Sequence, residues 1–211
     1  MYLVVGLGNP GARYERTRHN VGFDVVRSLA ERHGVQLTQK RFRAVLGTGN
    51  ISGESSLLAL PQTWMNLSGD SVGPMAGFYK VPRDSVLVVH DDLDLPFGTV
   101  KVKGGGGHGG HNGLRDLVQK LGGSDFVRVR VGIGRPQGPM DTKSWVLSRW
   151  SQAEDGLLSA IMDRAQEAIE AVLRDGVKSA MNGCNGLVPI GSKDDPGNAA
   201  TGGDALEKEN D

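Results

Sequence analysis

At 211 residues, with 24 basic and 24 acidic side chains and a lone cysteine, Cys184, the chain suits a single domain with a full core and excludes an internal disulfide or a cysteine-built metal cage. It enters an apolar run at once, without the succession of a secretory signal, and no apolar run is long enough to span a bilayer, so a cytoplasmic location with no membrane partner is expected. The net charge of zero hides an asymmetry: residues 193–211 hold two lysines against six acids, so residues 1–192 carry 22 basic and 18 acidic side chains, a balance that suits a polyanionic partner. The tail, rich in Gly, Ala, Asp and Asn and without apolar periodicity, reads as disordered and separate from one folded domain over 1–192.

Tyr2-Leu3-Val4-Val5 reads as a buried strand running into Gly6-Leu7-Gly8-Asn9-Pro10-Gly11. The turn matches a dinucleotide fingerprint in letters only. In that fold the third glycine opens a helix, and an acid about twenty residues on ends the second strand. Here Pro10 and the polar run to Arg16 delay the helix, and Asp24 falls inside it. The helix is predicted from about Arg18, with Val21, Val25 and Leu29 on one stripe, Thr17 as N-cap and Gly34 as the stop. His19 then lies in the first turn, where the helix dipole disfavours imidazolium and leaves a neutral ring able to accept a proton.

Arg43 to Gly49 and Ser56 to Leu60 read as two further strands, and a helix over about Ser68 to Lys80 follows the polar turn that carries Trp64 and Asn66. Pro74 is harmless if that helix starts near Ser71 and interrupts it if it starts near Ser68. Val86-Leu87-Val88-Val89 is a strand buried on both faces, ending in His90-Asp91-Asp92-Leu93-Asp94, where α/β folds place their chemistry. Val100 to Lys103 and Val127 to Val131 alternate strictly, so Lys101 and Lys103 share one face of their strand and Arg128 and Arg130 share one face of theirs. Neighbouring strands would form a basic stripe; an edge strand protected by charge would look the same in sequence. The intervening run Gly104 to Gly113 precedes a helix with Leu114, Leu117, Val118 and Leu121 in register, Asn112 as cap and Gly122 as stop. So many backbone N–H groups before a helix suit phosphate or carbonyl oxygen. Ser151 to Asp175 is predicted as one core-packing helix opened by a Ser151/Glu154 capping box. Strands interleaved with helices predict a single three-layer α/β domain, a twisted mixed β-sheet flanked by helices.

The polar residues without a structural duty are Asn9, His19, Asn66, Asp91, His111 and Asn112, each at a strand end or helix entrance. A histidine with a carboxylate is the minimum for general-base activation, and asparagine amides supply neutral donors to a developing oxyanion. No Gly-x-Ser-x-Gly elbow and no placed cysteine offers a nucleophile, which leaves water as the attacker. A metal reading draws on His90, Asp91, Asp92, Asp94, His108 and His111, but His108 and His111 stand in a glycine loop rather than on a helix face.

Taken together, Gly6-Leu7-Gly8-Asn9-Pro10-Gly11 with Tyr14 and Thr17-Arg18-His19-Asn20-Val21-Gly22, Thr63 to Gly69, His90 to Pro96 and Gly107 to Gly113 resemble bacterial peptidyl-tRNA hydrolase, in order and spacing, over roughly residues 1–187. The resemblance implies a metal-independent, cofactor-free cytoplasmic monomer that hydrolyses the ester between a peptide and the 3′ end of tRNA. By position it makes His19 the general base, Asp91 its supporting carboxylate and Asn9 the residue that tells peptidyl from free aminoacyl ends. It also places Asn66, Asn112 and His111 near the scissile ester, Tyr14 and Trp64 against peptide or terminal nucleotide, and Lys103 and Arg130 on tRNA phosphate. The acidic tail and Pro74 depart from the pattern. A non-catalytic RNA-binding protein on the same fold is the competing class, against which an intact His19, Asp91 and three asparagines speak.

Overall fold

The structure is a computed structural model and describes residues 1–196. The predicted tail therefore lies, from residue 197 on, outside the described residues. Seven strands form one open mixed sheet in the order β2-β3-β4-β1-β5-β7-β6: β1 Tyr2–Gly6, β2 Gln39–Arg41, β3 Ala44–Ile51, β4 Glu54–Pro61, β5 Val86–Asp92, β6 Val100–Gly104 and β7 Val127–Gly132. β4, β1, β5 and β7 run parallel, and β2, β3 and β6 supply the antiparallel pairings at the two edges. The helices are α1 Val21–Arg32, α2 Gly69–Tyr79, α3 Asn112–Leu121, α4 Thr142–Val146, α5 Gln152–Asp155, α6 Leu158–Asp175 and α7 Val177–Cys184.

Alternation along β1 and β5 divides the core. Val4, Leu87 and Val89 face α1 and α6, whereas Leu3, Val5, Val86 and Val88 face α2 and α3. Valines of β6 and β7 join the first layer, under α6 and α7. Lys103, Arg128 and Arg130 of β6 and β7 instead line the cleft, together with Thr142, Lys143 and Val146 of α4.

Two glycines bring α1 onto the strand ends. A Cβ on Gly6 would collide with the Gly22 carbonyl, and one on Gly22 with the carbonyl of Val89. Backbone lies on backbone, which delivers the turn before α1 to the end of β5. None of this resembles a dinucleotide cradle: α1 begins ten residues after Gly11, and its entrance is closed by the Phe23 N–H to Leu7 carbonyl bond at 3.2 Å.

Several local expectations need correction. Thr17 does not cap α1; its hydroxyl donates to the Tyr14 carbonyl at 2.7 Å, and a 3-10 turn over Arg18–Asn20 precedes the helix. α2 starts at Gly69, so Pro74 sits in its interior and cannot donate to the carbonyl of Asp70. The predicted helix over 151–175 is two pieces, α5 with the Ser151/Glu154 box and α6, separated at Gly156–Leu157. β2, α4 and α7 go beyond the predicted elements; α7 lays Ala180, Val177, Met181 and Cys184 on the core. Burial pushes the Cys184 thiol pKa up, helped by Glu167 and opposed by Arg164, so the thiolate is disfavoured.

Candidate active site

The ends of β1 and β5 and the loops that follow them surround a cleft of about 1030 Å³. Asn9, His19, Trp64, Asn66, Asp91, Lys103, His111, Asn112 and Arg130 all line it. Tyr14 does not; it reaches the rim through Trp64, edge to face at 5.7 Å. Trp64 itself is 52% exposed, a flat apolar face at the mouth.

At the centre, the buried Asp91 Oδ1 accepts two hydrogen bonds, from His19 Nδ1 at 2.7 Å and from His111 Nε2 at 3.0 Å. The second bond fixes a tautomer. His111, not Asn112, is the N-cap of α3, and its Nδ1 accepts the Leu114 N–H at 3.3 Å. Nδ1 of His111 is thus a lone pair and Nε2 carries the proton given to Asp91. His19 likewise donates from Nδ1, so in the neutral ring the lone pair sits on Nε2, and the ring lines the cleft.

Burial pushes the His19 pKa down, but the charge of Asp91 and the hydrogen bond to it outweigh burial and leave it above the ordinary 6.5. The expected dipole effect is overridden, because the helix proper starts beyond His19 and the carboxylate is in contact. For Asp91 burial acts upward, yet His19 and His111 together hold it well below the carboxylate range. Next to it His90 is held neutral, its pKa pushed down to about 3 by burial and by His111. His90 Nδ1 donates to the carbonyl of Asp91 at 2.7 Å, which stiffens the strand end.

Asn9 is locked on three sides. Its N–H donates to Asn20 Oδ1 at 2.8 Å, its carbonyl accepts from Asn20 Nδ2 at 2.9 Å, and its own Oδ1 accepts the Met65 N–H at 2.8 Å. With the amide oxygen engaged, the amide that Asn9 turns to the cleft is a donor. Sequence reasoning assigned Asn20 no role, although it stands in the same short run as His19. Asp116 was missed as well; it accepts the Gly69 N–H at 2.7 Å and ties α3 to α2 behind the Asn66 turn.

The paired strands do place the four basic residues on one face, Lys101 opposite Arg130 and Lys103 opposite Arg128. They are not one stripe of free charge. Arg128 is buried and donates through both terminal nitrogens to the carbonyls of Gly106 and Gly107, so it holds the glycine loop. Arg130 donates from Nε to Asp92 at 2.7 Å, and Lys103 stays exposed on the edge strand. Lys143 of α4 and Arg115 of α3 add basic groups to the cleft wall that periodicity did not single out.

The ligand set for a metal differs from the predicted one: His19, Asp91 and His111 have donor atoms within 4.8 Å of one another, while His108 Nδ1 accepts the Gly110 N–H. Those three atoms already share protons. A cation there would have to displace the proton from His111 Nε2, whose position the Leu114 cap enforces. Among the described residues, no helix is long and apolar enough to cross a membrane.

Comparison with known proteins places the chain in a family. A family model described as peptidyl-tRNA hydrolase matches residues 3–193. A peptidyl-tRNA hydrolase of Geobacter sulfurreducens is 53% identical over 180 residues, covering 85% of this chain and 93% of the relative. One of Syntrophotalea carbinolica is 46% identical over 188 residues, covering 89% and 98%. The crystal structure of peptidyl-tRNA hydrolase from Acinetobacter baumannii superposes with a TM-score of 0.84 at 42% identity, covering 90% of this chain and 96% of that one. The chain belongs to the peptidyl-tRNA hydrolase family.

Proposed function

We propose that this chain hydrolyses the ester joining a peptide, or an N-blocked amino acid, to the 3′ end of tRNA, with His19 as general base and Asp91 as its supporting carboxylate. The observation that carries the mechanism is the pair of hydrogen bonds converging on Asp91 Oδ1, one of which places the proton of the neutral His19 ring on Nδ1 and so turns its basic lone pair, on Nε2, to the cleft. His19 Nε2 takes a proton from water as the oxygen attacks the ester carbonyl, and Asp91 stabilises the imidazolium that forms. The Asn9 amide donates to the developing oxyanion or to the peptide carbonyl beside it, which a free aminoacyl end lacks. The tetrahedral intermediate then breaks its acyl C–O bond to the ribose, and the imidazolium returns the proton to the leaving 3′ oxygen.

Asn66 and Asn112, exposed at the two sides of the cleft, bind the substrate near the ester, with His111 behind them. Trp64 with Tyr14 packs against the peptide or the terminal nucleotide. Lys103 and Arg130 meet tRNA phosphate, which gives affinity without sequence choice and suits a substrate set of many tRNAs. A cytoplasmic monomer without metal or cofactor is the working unit of this reading.

The test is release of N-acetyl amino acid from N-acetyl-aminoacyl-tRNA, with and without EDTA, by the unaltered chain and by His19→Ala. EDTA-resistant hydrolysis that collapses in the variant, with unblocked aminoacyl-tRNA left intact, supports the proposal. EDTA-sensitive hydrolysis overturns its metal-free chemistry and points to His19, Asp91 and His111 as ligands. Absence of hydrolysis in the unaltered chain, with tRNA still bound, would favour an RNA-binding protein.

A further inference from the structure

Arg18 precedes the proposed base in sequence and has no part in the chemistry described above, yet its side chain is 3% exposed. Its Nη2 donates to both carboxylate oxygens of Glu154, at 2.8 and 2.7 Å, and its Nη1 to Ser148 Oγ at 3.2 Å and to the carbonyl of Arg149. Its guanidinium lies 3.8 Å from the ring centre of Trp145 and 4.9 Å from that of Trp150. The backbone follows suit: the Arg18 N–H donates to Ser148 at 3.0 Å, and Thr17 bridges to Arg149. All these partners belong to the segment over 145–154, which is remote in sequence and continues the cleft wall of Thr142, Lys143, Val146 and Leu147.

The connection closes into a ring. The Trp145 indole N–H donates to the Gly134 carbonyl at 2.8 Å, and the Ile133 N–H next to it donates to the Asp92 carbonyl at 3.0 Å. Asp92 adjoins Asp91, and Asp91 holds His19. The base and its carboxylate are therefore joined twice, directly across 2.7 Å and indirectly through Arg18, α4 and the end of β7. A buried ion pair is a poor source of net stability, because desolvation offsets its attraction; its best-attested use is to make one arrangement unique. A planar guanidinium lying over indole, with Nη2 on Glu154 and Nη1 on Ser148 and the Arg149 carbonyl, has one orientation available.

We infer that Arg18 is a positioning residue that locks the turn bearing His19 and the α4 wall of the cleft into one register with Asp91. The inference rests on His19 being the base. A misplacement of about 1 Å is enough to cost on the order of a hundredfold in rate.

Three variants test it: Arg18→Met, which keeps bulk and removes the charge; Arg18→Lys, which keeps the charge and loses the fork; and Glu154→Gln, which keeps the capping box and weakens the pair. His19→Ala runs beside them. Steady-state kinetics on N-acetyl-aminoacyl-tRNA are taken below the melting temperature of each variant. The expected result is a kcat lower by about ten- to a hundredfold in Arg18→Met, with KM raised less than kcat is lowered. Arg18→Lys is expected to recover part of that loss, and Glu154→Gln to fall between them. The groups facing His19 are Asp91 and His111, and Arg18 touches neither, so an acid limb of kcat/KM that moves in Arg18→Met reports a loosened His19–Asp91 contact.

A melting temperature that drops while kcat, KM and the acid limb stay unchanged would make Arg18 merely structural and overturn the inference. If Arg18→Met does not fold, Arg18→Lys and Glu154→Gln decide by the same criteria. Full activity in His19→Ala would instead overturn the reading of the site, which keeps the two failures distinguishable.

Discussion

Two sets of titratable groups lie at this cleft, and the fold treats them in opposite ways. His19, His111 and Asp91 come from three separate elements and converge on one carboxylate oxygen. Lys101, Lys103, Arg128 and Arg130 come from two paired strands with identical alternation and diverge into different duties. Arg128 is consumed by the carbonyls of Gly106 and Gly107, Arg130 is shared with Asp92, and Lys103 alone remains exposed at the cleft. Formal charge in a sequence is therefore a poor measure of the charge that a ligand meets. What decides is whether another part of the chain returns to neutralise it.

The largest expected effect breaks the convergent cluster. Asp91→Asn keeps the shape but removes the charge and lets the His19 ring change tautomer; kcat is expected to fall about 10²- to 10⁴-fold, read by single-turnover hydrolysis. The pH dependence sharpens the same point. Burial lowers the His19 pKa and Asp91 more than restores it, so the acid limb of kcat/KM is expected above the ordinary 6.5 in the unaltered chain. In Asp91→Asn only burial is left, and whatever limb survives should move down.

Stability should follow the same two groups. The raised His19 pKa contributes stability that is complete below 6.5 and is lost as pH rises through the raised value. The lowered Asp91 pKa contributes stability present above 3.8 and lost as pH falls toward the lowered value. The pair is worth most between those limits, so the melting-temperature gap between the unaltered chain and Asp91→Asn is expected to be widest in that window and to narrow in alkali. A gap that widens in alkali would contradict the assignment.

Next in size is the contrast between the two arginines of β7. Arg128→Met leaves the two glycine carbonyls without a charged donor, at about 1.5–3 kcal/mol per hydrogen bond, and is expected to lower the melting temperature by several degrees. Arg130→Met should barely move it, since Arg130 is only partly buried against Asp92. Thermal denaturation of the two variants side by side checks this. The smallest effect belongs to Lys103→Met, a few-fold loss of tRNA affinity with the log–log salt slope reduced by about 0.7–0.9, measured as binding against salt concentration.

Much of the fold could be read from period and punctuation. Val86 to Val89 declares a buried strand, Val127 to Val131 an alternating one, and Gly122 stands in the left-handed conformation that ends α3. What stayed hidden has a common physical cause, since partners distant in sequence leave no local signature. By residue type Asn112 is the better cap, but the tie of His111 to Asp91 places its Nδ1 against the Leu114 N–H. β2 is three exposed residues, Gln39 to Arg41, and has no burial pattern to betray it. Arg18 looks like one more polar residue at a helix entrance until the segment carrying Trp145, Trp150 and Glu154 is folded over it.

The central claim is a pair of tautomers, and ring-nitrogen NMR of His19 and His111 at a pH where both rings are neutral tests it most directly. The expected spectrum has His19 protonated at Nδ1 and bare at Nε2, with His111 the reverse, protonated at Nε2 and bare at Nδ1. A proton on His19 Nε2 in the unaltered chain would remove the lone pair that water needs and contradict His19 as the base.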